Sequence, residues 1–311
     1  MQRNLRLFAL MAFTTAVAFT SCKKETSQNT DEPTEMEMNT HSDDQSSVSN
    51  EMDAVTTEFT GTLEANADFA GAKVSQTAAI CGAIAVADTA NQLKRITITY
   101  SGDNCAHTHT RQGSVLITMA LGTKWKDAGA NISVTYQNLV VTRKADNKSI
   151  TISGTHTLTN VTGGLLRNLA ISSPITHTLT SSNMSITFAN ATQRMWQVAR
   201  KRDFTFSGGA ILTITGMHSA NGQTGIAEWG SDRFNRAFTT SITSPIVIKQ
   251  DCGFRITSGA VQHTRHGVTA TVTFGLDAAG LPTVCPGANA FYFKLSWTGL
   301  NGNVHTHILP Y

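Results

Sequence analysis

Several features that would announce a chemistry are missing from these 311 residues. No Gly-x-Ser-x-Gly elbow presents a nucleophilic serine, and no phosphate-cradling glycine loop occurs. No Cys-x-x-Cys pair is present, which argues against a zinc knuckle. Acids are scarce in the body, where residues 54–311 hold 12 Asp plus Glu against 20 Lys plus Arg. Five of them (Asp88, Asp103, Asp127, Asp146 and Asp277) stand in turn-like contexts, not as the flanking pair that glycoside hydrolysis needs. Only four tryptophans occur, Trp125, Trp196, Trp229 and Trp297. In a large β protein they read first as packing and only second as a sugar-stacking platform.

Long apolar runs are also lacking. The longest useful one, Leu7 to Phe19, is 13 residues, short of the ~20 that span a bilayer as a helix. It follows Arg3 and Arg6 and leads through Thr20 and Ser21 to Cys22. A positive start, a short apolar stretch and a small-residue exit make a secretory signal peptide over residues 1–21. Phe19, Thr20, Ser21 and Cys22 resemble the lipobox of bacterial lipoproteins, in which the cysteine becomes the lipid-modified first residue. The resemblance implies a chain anchored through Cys22 by acyl chains such as palmitate. Each buried CH₂ contributes ~0.8 kcal/mol, so several chains together hold a protein at a membrane.

Residues 22–53 then read as a lipidated cysteine and a disordered acidic tether. Residues 23–53 carry two lysines and nine acids, near −7, among Ser, Thr, Asn and Gln. The body from 54 to 311 is near +8. Such a split allows the acidic stalk to be attracted to the body. The basic excess permits contact with anionic envelope polysaccharide or a protein partner and is too dilute to expect specific nucleic-acid binding. The tightest basic cluster, Arg200, Lys201 and Arg202, reads as a strand end with solvated charges. "CKKET" loosely resembles the signals that export Bacteroidota lipoproteins to the cell surface. The expected address is the outer membrane, on its periplasmic or its cell-surface face.

With Cys22 assigned to lipid, Cys81, Cys105, Cys252 and Cys285 remain, and an even number in an exported protein reads as disulfides. Three pairings are open. Both "CGAIAVADTANQLKRITITYSGDNC" and "CGFRITSGAVQHTRHGVTATVTFGLDAAGLPTVC" start Cys-Gly, pass a turn and a Thr-alternating strand, and close at cysteine. That parallel favours Cys81 with Cys105 and Cys252 with Cys285, at ~3 kcal/mol for each closed loop.

Alternation with period two runs through the body and marks strands with one buried face. In "NISVTYQN", Ile132, Val134 and Tyr136 oppose Ser133, Thr135 and Gln137; "VTATVTF" and "AFYFKLSW" repeat the pattern. Further strands are expected at 93–100, 114–121, 138–143, 149–159, 184–190, 194–206, 210–216, 237–249 and 303–309. A single short helix is expected within "SNEMDAVTTEFTGTLEA", capped by Ser49 or Asn50. The fold class is therefore all-β, a large antiparallel sheet assembly, curved or sandwich-like, with a short N-terminal helix. Residues 54–311 form one extended unit or, alternatively, two lobes.

Arg111, Gly113, Trp125, Gly129, Gly154 and Asn160 follow Cys81 in an order that resembles a group of Bacteroidota lipoproteins. In that group a cysteine precedes an Arg-x-Gly step, a "W…G…I.VTY.N" strand and an "I.G…TN" strand. The resemblance implies export and β architecture and carries no catalytic residue.

Histidines are the remaining candidates for chemistry. His107 with His109, and His305 with His307, are His-x-His pairs; on a strand such a pair points one way, ~6.5–7 Å apart. A third imidazole, from His156, His177, His218, His263 or His266, would complete a metal site. Incidental polar histidines are the preferred reading. No cofactor is expected, and an enzyme is the less favoured class. The favoured function is a lipid-anchored β domain, structural or ligand-binding, at the outer membrane. The alternative is a metal-dependent or carboxylate hydrolase or lyase on the same scaffold.

Overall fold

The computed structural model describes residues 35–72, 80–89, 93–265, 267–284, 291–298 and 303–311. The expected signal peptide at residues 1–21, Cys22, residues 23–34, His266 and Cys285 lie outside these. The first seven strands are β1 Ala83–Asp88, β2 Leu93–Asp103, β3 His109–Ala120, β4 Ala130–Arg143, β5 Ser149–Asn160, β6 Ile175–Phe188 and β7 Gln193–Phe206. Then come β8 Ala210–Gly216, β9 His218–Ala220, β10 Gln223–Ser231, β11 Ala237–Lys249 and β12 Arg255–Arg265. The last are β13 Val268–Leu276, β14 Tyr292–Thr298 and β15 Val304–Pro310.

All belong to one antiparallel sheet. Its path runs from β1 to β7 in order, passes to β10, and continues through β11 to β15. β8 pairs with β7 and β11, and β9 pairs with β10. The body is thus one continuous sheet, the first of the two arrangements the sequence left open.

The alternation does what period two requires in β2 to β5. Ile96, Ile98, Val115, Ile117, Ile132, Val134, Ile152 and Leu158 are buried, while the threonines and serines between them face outward. In β13 the contrast fades, and most side chains from Val268 to Phe274 are half-buried.

The longest helix of the described residues, α1 Glu35–Ala65, fills the inner face. Val48, Met52, Val55, Phe59 and Leu63 recur at helical spacing and are fully or almost fully buried. They share one hydrophobic core with strands from β2 to β7. At ~1.5–3 kcal/mol per buried apolar side chain, the stripe contributes on the order of 10 kcal/mol before entropy. Thr56, Thr60, Thr62 and Glu64 are buried too, so the sheet encloses an arc wider than half the helix.

The expected short helix is therefore real but longer, and residues 35–53 belong to it instead of to a tether. Composition misleads there because the buried positions before Val48 are His41 and Asp44, with no apolar stripe among the described side chains.

A crease lets the sheet bend around α1. Register shifts fall between Gln112 and Ser114 in β3, Tyr136 and Leu139 in β4, Ser153 and His156 in β5, and Ser181 and Met184 in β6. Extra residues of this kind kink a strand and sharpen its twist. Gly113 (φ +110°) and Gly154 (φ +114°) sit on the crease, where an added Cβ would lie 2.4 Å from the carbonyl oxygens of Asn138 and Asn183. Any side chain would push neighbouring strands apart. These kinks also explain why the sequence divides β4 and truncates β6: the inward parity changes inside the strand.

The Cys81–Cys105 disulfide closes the β1–β2 hairpin, with Cα atoms 5.1 Å apart. Cys252 is disulfide-bonded as well, and Gly82 and Gly253 follow their cysteines with the same φ of 65°. The repeated Cys-Gly device is thus a left-handed turn at the start of each hairpin.

Gly113→Ala and Gly154→Ala are each expected to destabilise the chain by more than ~1 kcal/mol in urea unfolding. Gly61→Ala, where an added Cβ meets nothing within 4 Å, is expected to stabilise α1 by up to ~1 kcal/mol. Equal effects at the three sites would contradict the crease.

Candidate functional site: a basic inner face and its acidic helix

The strands place arginines along the inner face, and α1 brings carboxylates to them. Arg111 on β3 is 2 % exposed and reaches two acids of the helix. Its Nε lies 2.6 Å from Glu51 Oε1, and its Nη1 donates to Glu58 Oε1 at 2.7 Å. Tyr100 donates to Glu58 at 2.9 Å, and the guanidinium lies over the Tyr100 ring. Burial works against the charge on Arg111, but Glu51 and Glu58 outweigh it, so the guanidinium stays protonated above its ordinary value.

Toward the N-terminus of α1 the pairing is almost wholly polar. Arg143 forks onto Asp43 (2.7 and 2.9 Å), with Lys148 at 3.0 Å on the same carboxylate. The Arg143 hydrogen bond holds Asp43 below the usual carboxylate range. Arg233 forks onto Asp44 (2.6 and 2.5 Å) and lies 3.6 Å over the Phe188 ring. Arg236 donates to Glu37 at 2.7 Å. Such bidentate, charge-assisted bonds fix orientation as well as energy.

Glu228 on β10 is the sheet's own carboxylate in this array and is 1 % exposed. It accepts from Gln45 at 2.5 Å, Ser49 at 3.1 Å and the Trp196 indole at 3.1 Å, and it also pairs with Arg200. Arg200 reaches Asp53 on the helix as well. The Arg200–Lys201–Arg202 cluster is therefore not simply a solvated strand end. Arg200 points inward to the helix, and burial lowers the pKa of Arg202, while only Lys201 sits among exposed groups, paired to Asp203 at 2.9 Å. Arg194, fully buried, donates to Gln45 and lies 4.2 Å over the Phe238 ring.

One line of groups resembles catalytic machinery. His263 Nδ1 is 2.8 Å from Thr240 Oγ1, His263 Nε2 is 2.8 Å from His41 Nε2, and His41 Nδ1 is 3.8 Å from Asp232. Asp232 also accepts from the Phe234 and Arg236 amides at 2.9 Å and from Arg265 at 2.5 Å. Hydroxyl, two imidazoles and carboxylate thus stand in sequence. However, His41 and Asp232 are 3 % and 1 % exposed, so a substrate has no approach while α1 is docked. The line locks the helix to the β10–β11 turn, β11 and β12. No spacing in the sequence announces it, because its members lie on elements far apart in the chain.

The His-x-His pairs take other positions. His107 is exposed in the β2–β3 turn with φ +56° and lies 3.2 Å from Asp103. His109 opens β3, 2.9 Å from Thr108 Oγ1. His305 and His307 stack beside Trp297, with ring centroids 5.1 and 5.3 Å away. Among the described residues, no group of three or more His, Cys, Asp or Glu is placed to hold a metal ion.

Two further histidines are packing residues. His156 lies between Phe59 and Tyr136, and His177 between Trp125 and Phe204. A pocket of about 280 Å³ on β11 to β13, lined by Gly259, Phe274, Gly275 and Leu276, has no ionisable side chain in its wall. No helix of the described residues is long and apolar enough to cross a membrane.

Comparison with known proteins finds no match, whether to a family profile, a curated protein or a solved structure.

Acidity should test this interior. Burial lowers the pKa of His156 and of His177 to about 3, Arg202 adding to the latter, and burial with Arg194 and Arg265 lowers that of His263 to about 4. Below the unfolded value near ~6.5 the unfolded chain takes up protons that the folded chain refuses, so stability falls as pH drops toward ~4. Burial raises Asp44, Glu51 and Glu64, which opposes this trend. Urea midpoints are expected to fall between pH 7 and 5, with His156→Leu removing about one proton, or ~1.4 kcal/mol per pH unit, from the slope. A flat profile in the unsubstituted chain would contradict the neutral, buried imidazoles.

Proposed function

We propose that this chain is a lipid-anchored β-domain lipoprotein of the outer membrane. Acyl chains on Cys22 hold it, and its curved sheet is a structural or ligand-binding body. The observation that carries the proposal is the cysteine pairing. Cys81 and Cys105 form one disulfide and Cys252 is in another. With Cys252 paired to Cys285, as the repeated Cys-Gly hairpin of the sequence favours, Cys22 is left for lipid behind a positively charged and then apolar leader.

The start of α1 supports the reading. The helix begins at Glu35, so residues 23–34 separate it from Cys22. Twelve residues reach at most ~40 Å when extended, which keeps the body close to an anchoring surface. The signature from Arg111 to Asn160 supports membership of the Bacteroidota lipoprotein group.

The hydrolase or lyase alternative draws less support from the interior. Asp44, Glu51, Glu228 and Asp232, the buried acids that would serve it, face Arg233, Arg111, Arg200 and Arg265.

Cells fed labelled palmitate are expected to incorporate label into the chain, and Cys22→Ser is expected to abolish both label and membrane association. Protease treatment of intact cells then separates a surface-facing body, which is cut, from a periplasmic one. Membrane retention of the Cys22→Ser chain without label would refute the anchor.

A further inference from the structure

The two edges of the sheet differ in a way that points to a partner. At one end β15 carries His305, His307 and Pro310, and Trp297 stacks against the two imidazoles. Proline and bulky polar side chains are the usual protection of an edge.

At the other end β1 reads "AIAVAD", with neither proline nor histidine and with its one charge, Asp88, at its last position. Among the described residues it pairs only with β2. Every second residue of an antiparallel strand turns its N–H and C=O away from the neighbour it is paired to, so β1 presents a row of such groups outward.

Its side chains also reverse the pattern of the sheet. Ala85 and Ala87 oppose the buried Ile98 and Ile96, so the small alanines take the inner face. Ile84 and Val86 oppose Thr99 and Thr97 on the outer face and are 69 % and 62 % exposed. β2 to β5 place mostly threonine, serine and asparagine at the corresponding outer positions. The reversal leaves two large apolar side chains mostly exposed on the outer face. The Cys81–Cys105 disulfide holds β1 in this position.

We propose that β1 is the pairing edge for a second copy of this chain, forming a two-fold symmetric dimer with one sheet continuous across both copies. The strand is self-complementary about Ala85. Antiparallel pairing there sets Ile84 opposite Val86 of the second copy and Val86 opposite its Ile84, both on the outer face. Ala83 meets Ala87 on the inner face, and no like charges face each other. Cross-strand aliphatic pairs of this kind stabilise an antiparallel interface. The alternative join, β1 of one copy to β15 of another, would be head-to-tail and would grow without closing unless its rotation closed a ring. The proline and histidines of β15 oppose it.

Sedimentation equilibrium of the mature chain carrying Cys22→Ser, which removes lipid as a cause of association, tests the proposal. A reversible dimer in the micromolar range is expected, with β1 amides gaining protection from hydrogen exchange as concentration rises. Ile84→Lys with Val86→Lys sets lysine opposite lysine twice and is expected to weaken the dimer at least ~tenfold. Both positions are exposed, so at concentrations where the chain is monomeric the thermal midpoint should match that of the unsubstituted chain and a folding failure would be visible. Val304→Lys on β15 is expected to leave the dimer intact. A chain that stays monomeric, a dimer indifferent to the paired lysines, or a dimer broken by Val304→Lys would each overturn the proposal.

Discussion

The docking of an acidic helix against arginines on a curved sheet is the constraint on which the rest of this molecule depends. α1 carries eight Asp and Glu and no Lys or Arg. Strands and turns far apart in the chain answer them, Arg111 from β3, Arg143 from β4, Arg200 from β7, and Arg233 and Arg236 from the β10–β11 turn. Burying charge is costly, and a buried pair is seldom a net source of stability compared with apolar packing. Its effect is selective. The apolar stripe from Val48 to Leu63 supplies burial energy but would tolerate a helix shifted by a turn or rotated slightly. Arg111 held between Glu51 and Glu58 tolerates neither, because a shift leaves an unpaired guanidinium in a dry site. Hydrophobic burial therefore holds the helix, and the ion pairs set its register.

That arrangement requires a sheet that bends. Strands of eleven to fourteen residues in a gently twisted sheet would leave the helix half bare. The crease through Gly113 and Gly154 brings strands on both sides of α1 into contact with it, and the opposed carbonyls leave no room for a side chain. Arg111 stands two residues from Gly113 on the same strand. The turn that aims the guanidinium and the kink that wraps the sheet are thus one local feature, which accounts for the Arg-x-Gly step as a unit.

Much of the sheet was legible because period two is a direct consequence of pleating. β8 and β11 match their expected spans, β7 extends one residue further, and β2, β5 and β15 differ by only a few residues. The errors have physical causes. β4 looks like two strands since Asn138, with φ +51°, breaks the alternation at the bulge. β10 is weakly marked because its sequence "QTGIAEWGS" mixes glycines with a buried glutamate. The N-terminal half of α1 looks like a stalk because its inward face is His41, Asp44 and Gln45, which by composition belong to solvent. Only the arginines of the sheet make that face an interior one. The net charge split between residues 23–53 and the body was the sole trace of this contact in the sequence.

Arg111, Gly113, Trp125, Gly154 and Asn160 prove to be builders of this interior. Arg111 sets the helix register, and Gly113 and Gly154 form the crease. Trp125 is fully buried against His177. Asn160, also fully buried, donates to the carbonyls of Trp125 and Gly164 at 2.8 Å and accepts from Gly163 at 3.0 Å, closing the loop after β5. Residues of this kind specify an architecture and leave recognition to other positions. The buried histidines are packed between aromatic rings or against α1, and the buried acids face arginines, so the interior is committed to holding its own helix. Contact with other molecules then falls to the outer face and the edges. The outer face is threonine-rich over β2 to β5, and on β1 two adjacent outer positions carry the mostly exposed Ile84 and Val86. An exposed aliphatic pair at a sheet edge is the feature that packing within one copy does not explain.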